Sequence, residues 1–337
     1  MQRILVVGPS WVGDAVLAQP LLKLLHARHA GPALDVLAPP WTLPLFERMP
    51  EVRRAIASPF IHGDLKLSER RRLGRELARE GYDQAIVLPN TFKSALVPFF
   101  AGIPRRTGYV GELRWGLLND ARRLDPARLP RMAERFAALA HPPGAAPPLP
   151  LPVPALRANE AARRATLMKL GLESPRPVIV LCPGAEYGPA KRWPAAYFAR
   201  LARELAAEGW EAWLVGSPND AAIGAEIEGA SGGACRNLCG ATTLGEAMDV
   251  LASARLVVSN DSGLMHVAAA LGKPVIALYG SSSPAFTPPL SPAAIILKLD
   301  LPCSPCFRRV CPLGHFNCMM QLTPERVSAA VRSARIA

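Results

Sequence analysis

ARLVVSNDSGLMHVAAALGKPVIALYG, residues 254–280, decides the fold. Two short apolar runs, RLVVS and PVIALY, enclose a small-residue segment of helical length, so the stretch reads as strand, helix, strand. Neither run alternates with polar residues, which marks strands covered on both faces, as in a parallel sheet. The polar residues gather in one place. Asn260, Asp261, Ser262, Gly263 and His266 occupy the seam where the first strand gives way to the helix.

The same alternation extends through the chain. Strand-like runs RILVVG, ALDVLA, DQAIVLP and RRTGY lie in the first half, with helical periodicity in DAVLAQPLLKLLHARH and LSERRRLGRELAREGY. The second half repeats the pattern with NEAARRATLMKLG, PVIVLCPG, PAAYFARLARELAAEG, WEAWLVGS and LGEAMDVLASA before the opening stretch. Between the halves, HPPGAAPPLPLPVP (141–154) carries seven prolines in fourteen residues. Proline fixes φ and lacks an N–H donor, so this segment reads as an extended linker. A chain of 337 residues suits two domains of about 150 residues each. We therefore expect an α/β protein with two Rossmann-like, doubly wound parallel-sheet domains facing a central cleft. Their expected bounds are 1–155 and 156–322, with a final helix in 323–337 packing back toward the first domain.

Half of the residues are hydrophobic and 20% are charged, so both halves can bury cores and neither reads as disordered. No apolar run approaches the roughly 18–20 residues of a membrane-spanning helix. The start, MQRILVVGPSW, passes into Gly-Asp and not into a cleavage site, and reads as a strand and not as a signal peptide. A cytoplasmic protein is expected. The net charge of +12 is uneven. Residues 1–150 hold 21 Lys and Arg against 13 Asp and Glu, an excess of eight, and the remainder 18 against 14, an excess of four. Arg53, Arg54, Arg70, Arg71 and Arg72 are dense points of this basic surface, which suits a phosphorylated substrate or an anionic membrane face. It equally fits a solvated basic face. Few aromatic residues interleave with it, so nucleic acid is not an expected partner.

Ligands of doubly wound sheets bind beyond the carboxyl ends of strands, and three such ends carry polar residues. GPSWVGDAVLAQP follows the first strand. It holds Gly13 and Asp14 but lacks the lysine of a phosphate-binding loop. PGAEYGPAKRWP (183–194) offers Gly184 for close backbone approach and Lys191 as a cation. In NDSGLMH, Asp261 or Ser262 can cap a helix whose first-turn N–H groups form an anion site, with Gly263 admitting a phosphate and His266 pointing back to the same mouth. Each element also has a plain structural use: a first-turn acid, an exposed lysine, a capped helix with a packed histidine. Together they imply a diphosphate held by Lys191 and the 262–266 turn, facing Asp14 across the cleft.

GPSWVGDAVLAQPLLKLL, PGAEYGPAKRWP and NDSGLMHVAAALGKPVIALYG, taken in order, resemble the bacterial ADP-heptose:lipopolysaccharide heptosyltransferases of glycosyltransferase family 9. The resemblance runs from the first strand to the final helix. It implies a GT-B architecture and inverting transfer of heptose from ADP-heptose, without a metal or other cofactor. The implied acceptor is a phosphorylated lipid A–Kdo–heptose inner core, met at the cytoplasmic face of the inner membrane. The family's catalytic aspartate falls on Asp14, its phosphate-binding lysine on Lys191, and its diphosphate turn on Asp261, Ser262, Gly263 and His266. Glu186 and Tyr187 stand where some relatives place hydroxyl residues before the lysine. Overall resemblance and the cysteine segment favour the family's type II members over types I and III.

That segment, LPCSPCFRRVCPLGHFNC, places Cys303, Cys306, Cys311 and Cys318 within sixteen residues. A four-thiolate metal site is chemically possible, but the spacing lacks the second C-x2-C of a zinc ribbon, and reduced loop-packing thiols are the preferred reading. Two rival classes fit part of the sequence. A nucleotide-sugar epimerase of the same build would need a donor and no lipid acceptor. A metal- or nucleic-acid-binding protein would explain cysteines and charge but leaves Asp14 and Lys191 without a role.

Overall fold

The structure is a computed structural model that describes residues 1–29, 31–61 and 63–334. It divides between Pro154 and Ala155 into two units. In the first unit, β1 (Arg3–Val7), β2 (Ala33–Ala38), β3 (Val52–Ala57), β4 (Gln84–Val87), β5 (Arg105–Tyr109) and β6 (Asp120–Arg122) form one sheet in the order 3-2-1-4-5-6. Every pairing in it is parallel. The second unit holds β7 (Val178–Cys182), β8 (Glu211–Leu214), β9 (Cys235–Asn237), β10 (Leu256–Asn260), β11 (Val275–Tyr279) and β12 (Ala294–Lys298). Its parallel sheet runs β12-β11-β10-β7-β8-β9, which is the first sheet's order when counted from its own first strand. Each sheet therefore reverses its strand order once, at β1/β4 and at β7/β10. Crossovers leave in opposite directions there, and a crevice opens beyond the carboxyl ends.

Burial follows the reading of continuous apolar strands. Ile4, Leu5 and Val6 of β1 and Val257 and Val258 of β10 are shielded from solvent on both faces. The second core adds Trp193, Trp210 and Trp213, all fully buried, with the Trp193 and Phe198 rings meeting edge to face at 4.8 Å. Helical periodicity over residues 14–29 resolves into two helices, Val12–Leu17 and Gln19–Arg28. The break at Ala18 has a cause. Pro20 sits in the first turn of the second helix, where its missing N–H costs nothing, whereas inside a continuous helix it would strike the preceding turn.

Sequence reading finds the eight inner strands and misses β3, β6, β9 and β12, which are the four sheet edges. Edge strands need only one covered side, and three of these are short or charged: β6 and β9 have three residues each, and β3 is VRRAIA, whereas β12, AIILK, is as apolar as an inner strand. The final helix, Pro324–Ala334, buries Val327, Ala330 and Val331 in the second unit's core. Polar bonds on its flank agree, since Ser328 donates to Glu204 at 2.6 Å and Arg332 pairs with Glu208 at 2.7 Å, both glutamates belonging to the second unit. Among the described residues, no helix is long and apolar enough to cross a membrane.

Asn260 ends β10 and is fully buried. Its Oδ1 accepts the Trp193 backbone N–H at 3.1 Å, and its Nδ2 donates to the Pro183 carbonyl at 2.7 Å. One side chain thus fastens the end of β10 to the loop leaving β7. Asn260→Ala strands two buried backbone groups, and the expected loss is about 2–4 kcal/mol by chemical denaturation; a loss under about 0.5 kcal/mol would contradict this bracing role.

Candidate functional site

The switch point of the second sheet gathers the polar residues. Lys191 ends a single helical turn, Pro189–Lys191, in the loop after β7. Asp261 follows β10 directly. The Lys191 Nζ lies 2.5 Å from Asp261 Oδ2, with Lys191 largely and Asp261 almost fully buried. The same carboxylate oxygen accepts the Ser282 hydroxyl at 2.5 Å, so the ends of β7, β10 and β11 converge on one atom. The Tyr187 ring centroid lies 5.2 Å from the ammonium. Lysine has three N–H donors, and this arrangement holds its head in place while leaving donors for an anion.

The helix Gly263–Ala270 starts beside this pair. Ser262 is its N-cap residue with extended backbone, but no side chain caps the turn. That corrects the capping expectation: Asp261 is turned to Lys191 and Ser282, and Ser262 faces Ser259 at 3.3 Å. An uncapped first turn presents N–H groups and the positive end of the helix dipole to an anion. His266 is buried one turn in. Burial drives its pKa down to about 4; the Asp261 charge opposes this and the Lys191 charge reinforces it. The imidazole is therefore neutral at pH 7, and its Nδ1 has no hydrogen-bond partner.

In the first unit, Asp14 lies half-buried in the first turn of Val12–Leu17, directly beyond the carboxyl end of β1, with Gly13 before it. This is the equivalent switch point of the other sheet. Fully buried Arg114 braces the neighbouring loop, donating to the Pro89 carbonyl at 2.6 Å and to Asn90 Oδ1 at 3.1 Å. Burial lowers its pKa to about 10, and it remains a cation at neutral pH.

The profile described as glycosyltransferase family 9 (heptosyltransferase) matches residues 70–317. The chain is 49% identical to lipopolysaccharide heptosyltransferase 2 of Escherichia coli K12, with 96% of each chain covered. It is 47% identical to lipooligosaccharide heptosyltransferase 2 of Haemophilus influenzae, with 88% of each covered. The solved structure of the E. coli ADP-heptose lps heptosyltransferase II superposes with a TM-score of 0.89 at 46% identity, covering 99% of this chain and 98% of that one. The chain belongs to glycosyltransferase family 9. Its two parallel sheets are those of a GT-B glycosyltransferase.

Membership sharpens the reading of the remaining residues in this glycosyltransferase. At Gly184 a Cβ would lie 2.3 Å from an Asp220 carboxylate oxygen, so the buried Asp220 packs directly on this backbone. Arg70 leaves the surface group. It is buried, stacks 3.9 Å over Phe60 and donates to the Leu65, Lys93 and Asp64 carbonyls. Arg53 and Arg54 are half-exposed but engaged: both meet the fully buried Asp35, Arg53 with two bonds at 2.6 and 2.9 Å. Burial alone would raise the Asp35 pKa, but hydrogen bonds from Arg53 and Tyr82 and the two cations outweigh it and lower it. Arg71 and Arg72 remain exposed, beside a groove of about 910 Å³ shared with Arg75 and Arg79.

The cysteine segment is a strap over the second switch point. Phe307 N–H donates to the Ser281 carbonyl at 2.7 Å, Tyr187 Oη to the Phe307 carbonyl at 2.7 Å, and Ala190 N–H to the Arg309 carbonyl at 3.0 Å. Gly188, at φ 152°, has Arg309 oxygen where a Cβ would stand. Burial, with neighbouring Cys306, Cys303 and Cys311, raises the Cys318 thiol, while backbone N–H groups led by Phe316 lower Cys311. The four are free thiols, and among the described residues no group of three His, Cys, Asp or Glu is arranged to hold a metal. Ser281 and Ser282, missed in the sequence, follow β11 as GSSSP. A fourth polar strand end was the available signal.

His266 gives a pH prediction. Its folded-state pKa lies below the ordinary 6.5, so on acidification the unfolded chain takes up a proton first and stability falls between about pH 6.5 and 4. The contribution is about 3 kcal/mol. His266→Gln should show a shallower loss of thermal stability across that window than the parent, and equal slopes would contradict a buried neutral imidazole.

Proposed function

We propose that this glycosyltransferase moves L-glycero-D-manno-heptose from ADP-heptose to the heptosyl-Kdo2-lipid A inner core of lipopolysaccharide, with inversion at the anomeric carbon. The observation that carries the reading is the Lys191–Asp261–Ser282 cluster beside an uncapped helix N-terminus at the second switch point. A nucleotide diphosphate needs that combination of a held cation and converging N–H donors. Likeness to heptosyltransferase 2 of E. coli over 96% of both chains supports the donor and acceptor.

In this reading the second unit binds the nucleotide sugar and the first binds the acceptor. Asp14 takes the proton from the acceptor hydroxyl as its oxygen bonds to the heptose anomeric carbon. The bond from that carbon to the β-phosphate oxygen breaks, and ADP departs with the electron pair. Lys191 and the first turn of Gly263–Ala270 meet the growing negative charge, where fixed donors count most. Neutral His266 lines the same turn and adds no charge. The excess of eight positive charges in residues 1–150 supports approach to a phosphorylated acceptor and peripheral contact with the cytoplasmic face of the inner membrane.

ADP release, measured with and without heptosyl-Kdo2-lipid A, tests the assignment. Release should require the acceptor and should fall about 10²- to 10⁴-fold in Asp14→Ala while ADP-heptose binding persists. Release that ignores the acceptor would contradict glycosyl transfer and favour a donor-only reaction such as epimerisation; unchanged turnover in the variant would remove Asp14 as base.

A further inference from the structure

The helix Leu67–Ala78 runs from the carboxyl end of β3 to the amino end of β4 and packs with the helix Leu96–Phe100 on one face of the first sheet. Its inward side carries Arg70, Gly74 and Leu77, all buried. At Gly74 a Cβ would lie 2.6 Å from Phe100 Cβ, so the two helices meet without a gap. Arg70, bonded to the Leu65, Lys93 and Asp64 carbonyls, ties the start of the helix to its surroundings. The outward side is a row of four exposed arginines. Arg71, Arg75 and Arg79 recur at every fourth residue, and Arg72 stands three residues before Arg75 on the same side.

Surface arginines of other helices are matched by acids. Arg163 and Arg164 meet Glu160, Arg200 meets Glu204 and Glu325, and Arg332 meets Glu208. Among the described residues, Arg71, Arg72, Arg75 and Arg79 make no ion pair or side-chain hydrogen bond. Glu76 is the one acid lining the groove beside them, so four positive charges face one negative. Like charges four residues apart destabilise a helix, and an anionic partner removes that repulsion. The groove also carries apolar surface. Leu67, at the end nearest the carboxyl edge, is 51% exposed and Phe99 41%. The Phe99 and Phe100 rings meet edge to face at 5.6 Å, and the Arg106 guanidinium stands 5.6 Å from the Phe99 centroid.

We infer that this helical flank of the first unit lies against an anionic lipid bilayer, with the four guanidinium groups on lipid phosphates and Phe99 and Leu67 among the headgroups. Charge complementarity selects this occupant. Several unpaired cations on one helix face, with apolar side chains beside them, suit a surface of closely spaced phosphates over hydrocarbon, and long arginine stems reach it without burying their charge. A sugar bound at Asp14 fits less well. From Arg71 to Arg79 the row recedes about 12 Å along the helix, away from the carboxyl edge. Phe99 is a single exposed ring, too little for the stacking of nucleic-acid bases. A bilayer on this flank leaves the carboxyl edge and Asp14 open, and an acceptor anchored in the same bilayer reaches that edge past Leu67. The inference deepens the membrane contact proposed above and rests on that reading for the acceptor's lipid anchor.

Sedimentation of the full chain with vesicles, without donor or acceptor, tests the inference. Vesicles of phosphatidylethanolamine and phosphatidylglycerol should carry the parent down, phosphatidylcholine vesicles much less, and added salt should release it. Arg75→Gln with Arg79→Gln should weaken binding about tenfold or more, and Phe99→Ser about threefold or more. Removing two exposed arginines of the second unit, Arg255→Gln with Arg326→Gln, should change it less than about twofold. ADP release with a deacylated acceptor in solution should stay within about twofold in the Arg75/Arg79 variant, which also shows that it folds. Absence of binding, equal binding to phosphatidylcholine, or binding unweakened in the Arg75/Arg79 variant would overturn the inference. Equal weakening by the two arginine pairs would do so as well, because net charge alone would then account for the attraction. Loss of turnover on the deacylated acceptor in a folded Arg75/Arg79 variant would make the row an acceptor site and not a membrane surface. Failure of glycosyl transfer would show separately, as vesicle binding by a parent that releases no ADP on addition of acceptor.

Discussion

The buried amide of Asn260 is the bond on which the second unit's site depends. Parallel strands bring their carboxyl ends to one edge, but nothing in backbone pairing fixes the loops beyond β7 and β10, which leave in opposite directions at the switch point. Asn260 supplies that fixation through Trp193 and Pro183. Its neighbour Asp261 is then placed to meet Lys191 and Ser282, and the following helix begins beside them. Because the amide is buried, any arrangement that leaves its donor or acceptor unmet is costly, and one geometry is selected.

Arg114 does comparable work in the first unit, where its guanidinium bonds the loops after β4 and β5. Each sheet therefore combines an apolar interior with a buried polar brace near its switch point. The braces serve different ends. In the second unit the result is a compact cationic recess roofed by the cysteine strap, suited to holding a small anion. In the first it is a half-buried carboxylate, Asp14, at one strand end. Arg53, Arg54 and Arg70, which look interchangeable with Arg71 and Arg72 in a charge count, are committed to Asp35 or to backbone carbonyls.

Much of this was legible from the residues. Apolar runs marked the inner strands other than β5, RRTGY, because burial on both faces leaves little room for polar alternation. Edge strands escaped, since a three-residue β6 or a charged β3 carries no such mark. The rule that ligands gather at carboxyl ends led to Asp14, Lys191 and Asp261, and the structure brings the last two into contact. Contacts made by distant segments were beyond reach. Tyr187 bonding Phe307, Asp220 filling the space above Gly184, and Arg70 turning inward over Phe60 depend on folded geometry that spacing does not encode.

The central claim is that Lys191, held by Asp261, and the uncapped turn after it carry the donor's diphosphate. Calorimetric titration of ADP into the parent chain, Lys191→Met and Asp261→Asn tests it most directly. Loss of the ammonium should weaken ADP binding about 10- to 100-fold with the fold intact, and Asp261→Asn, which frees the cation from its carboxylate, should have a clearly different effect. ADP affinity within about twofold of the parent in a folded Lys191→Met chain would contradict the claim.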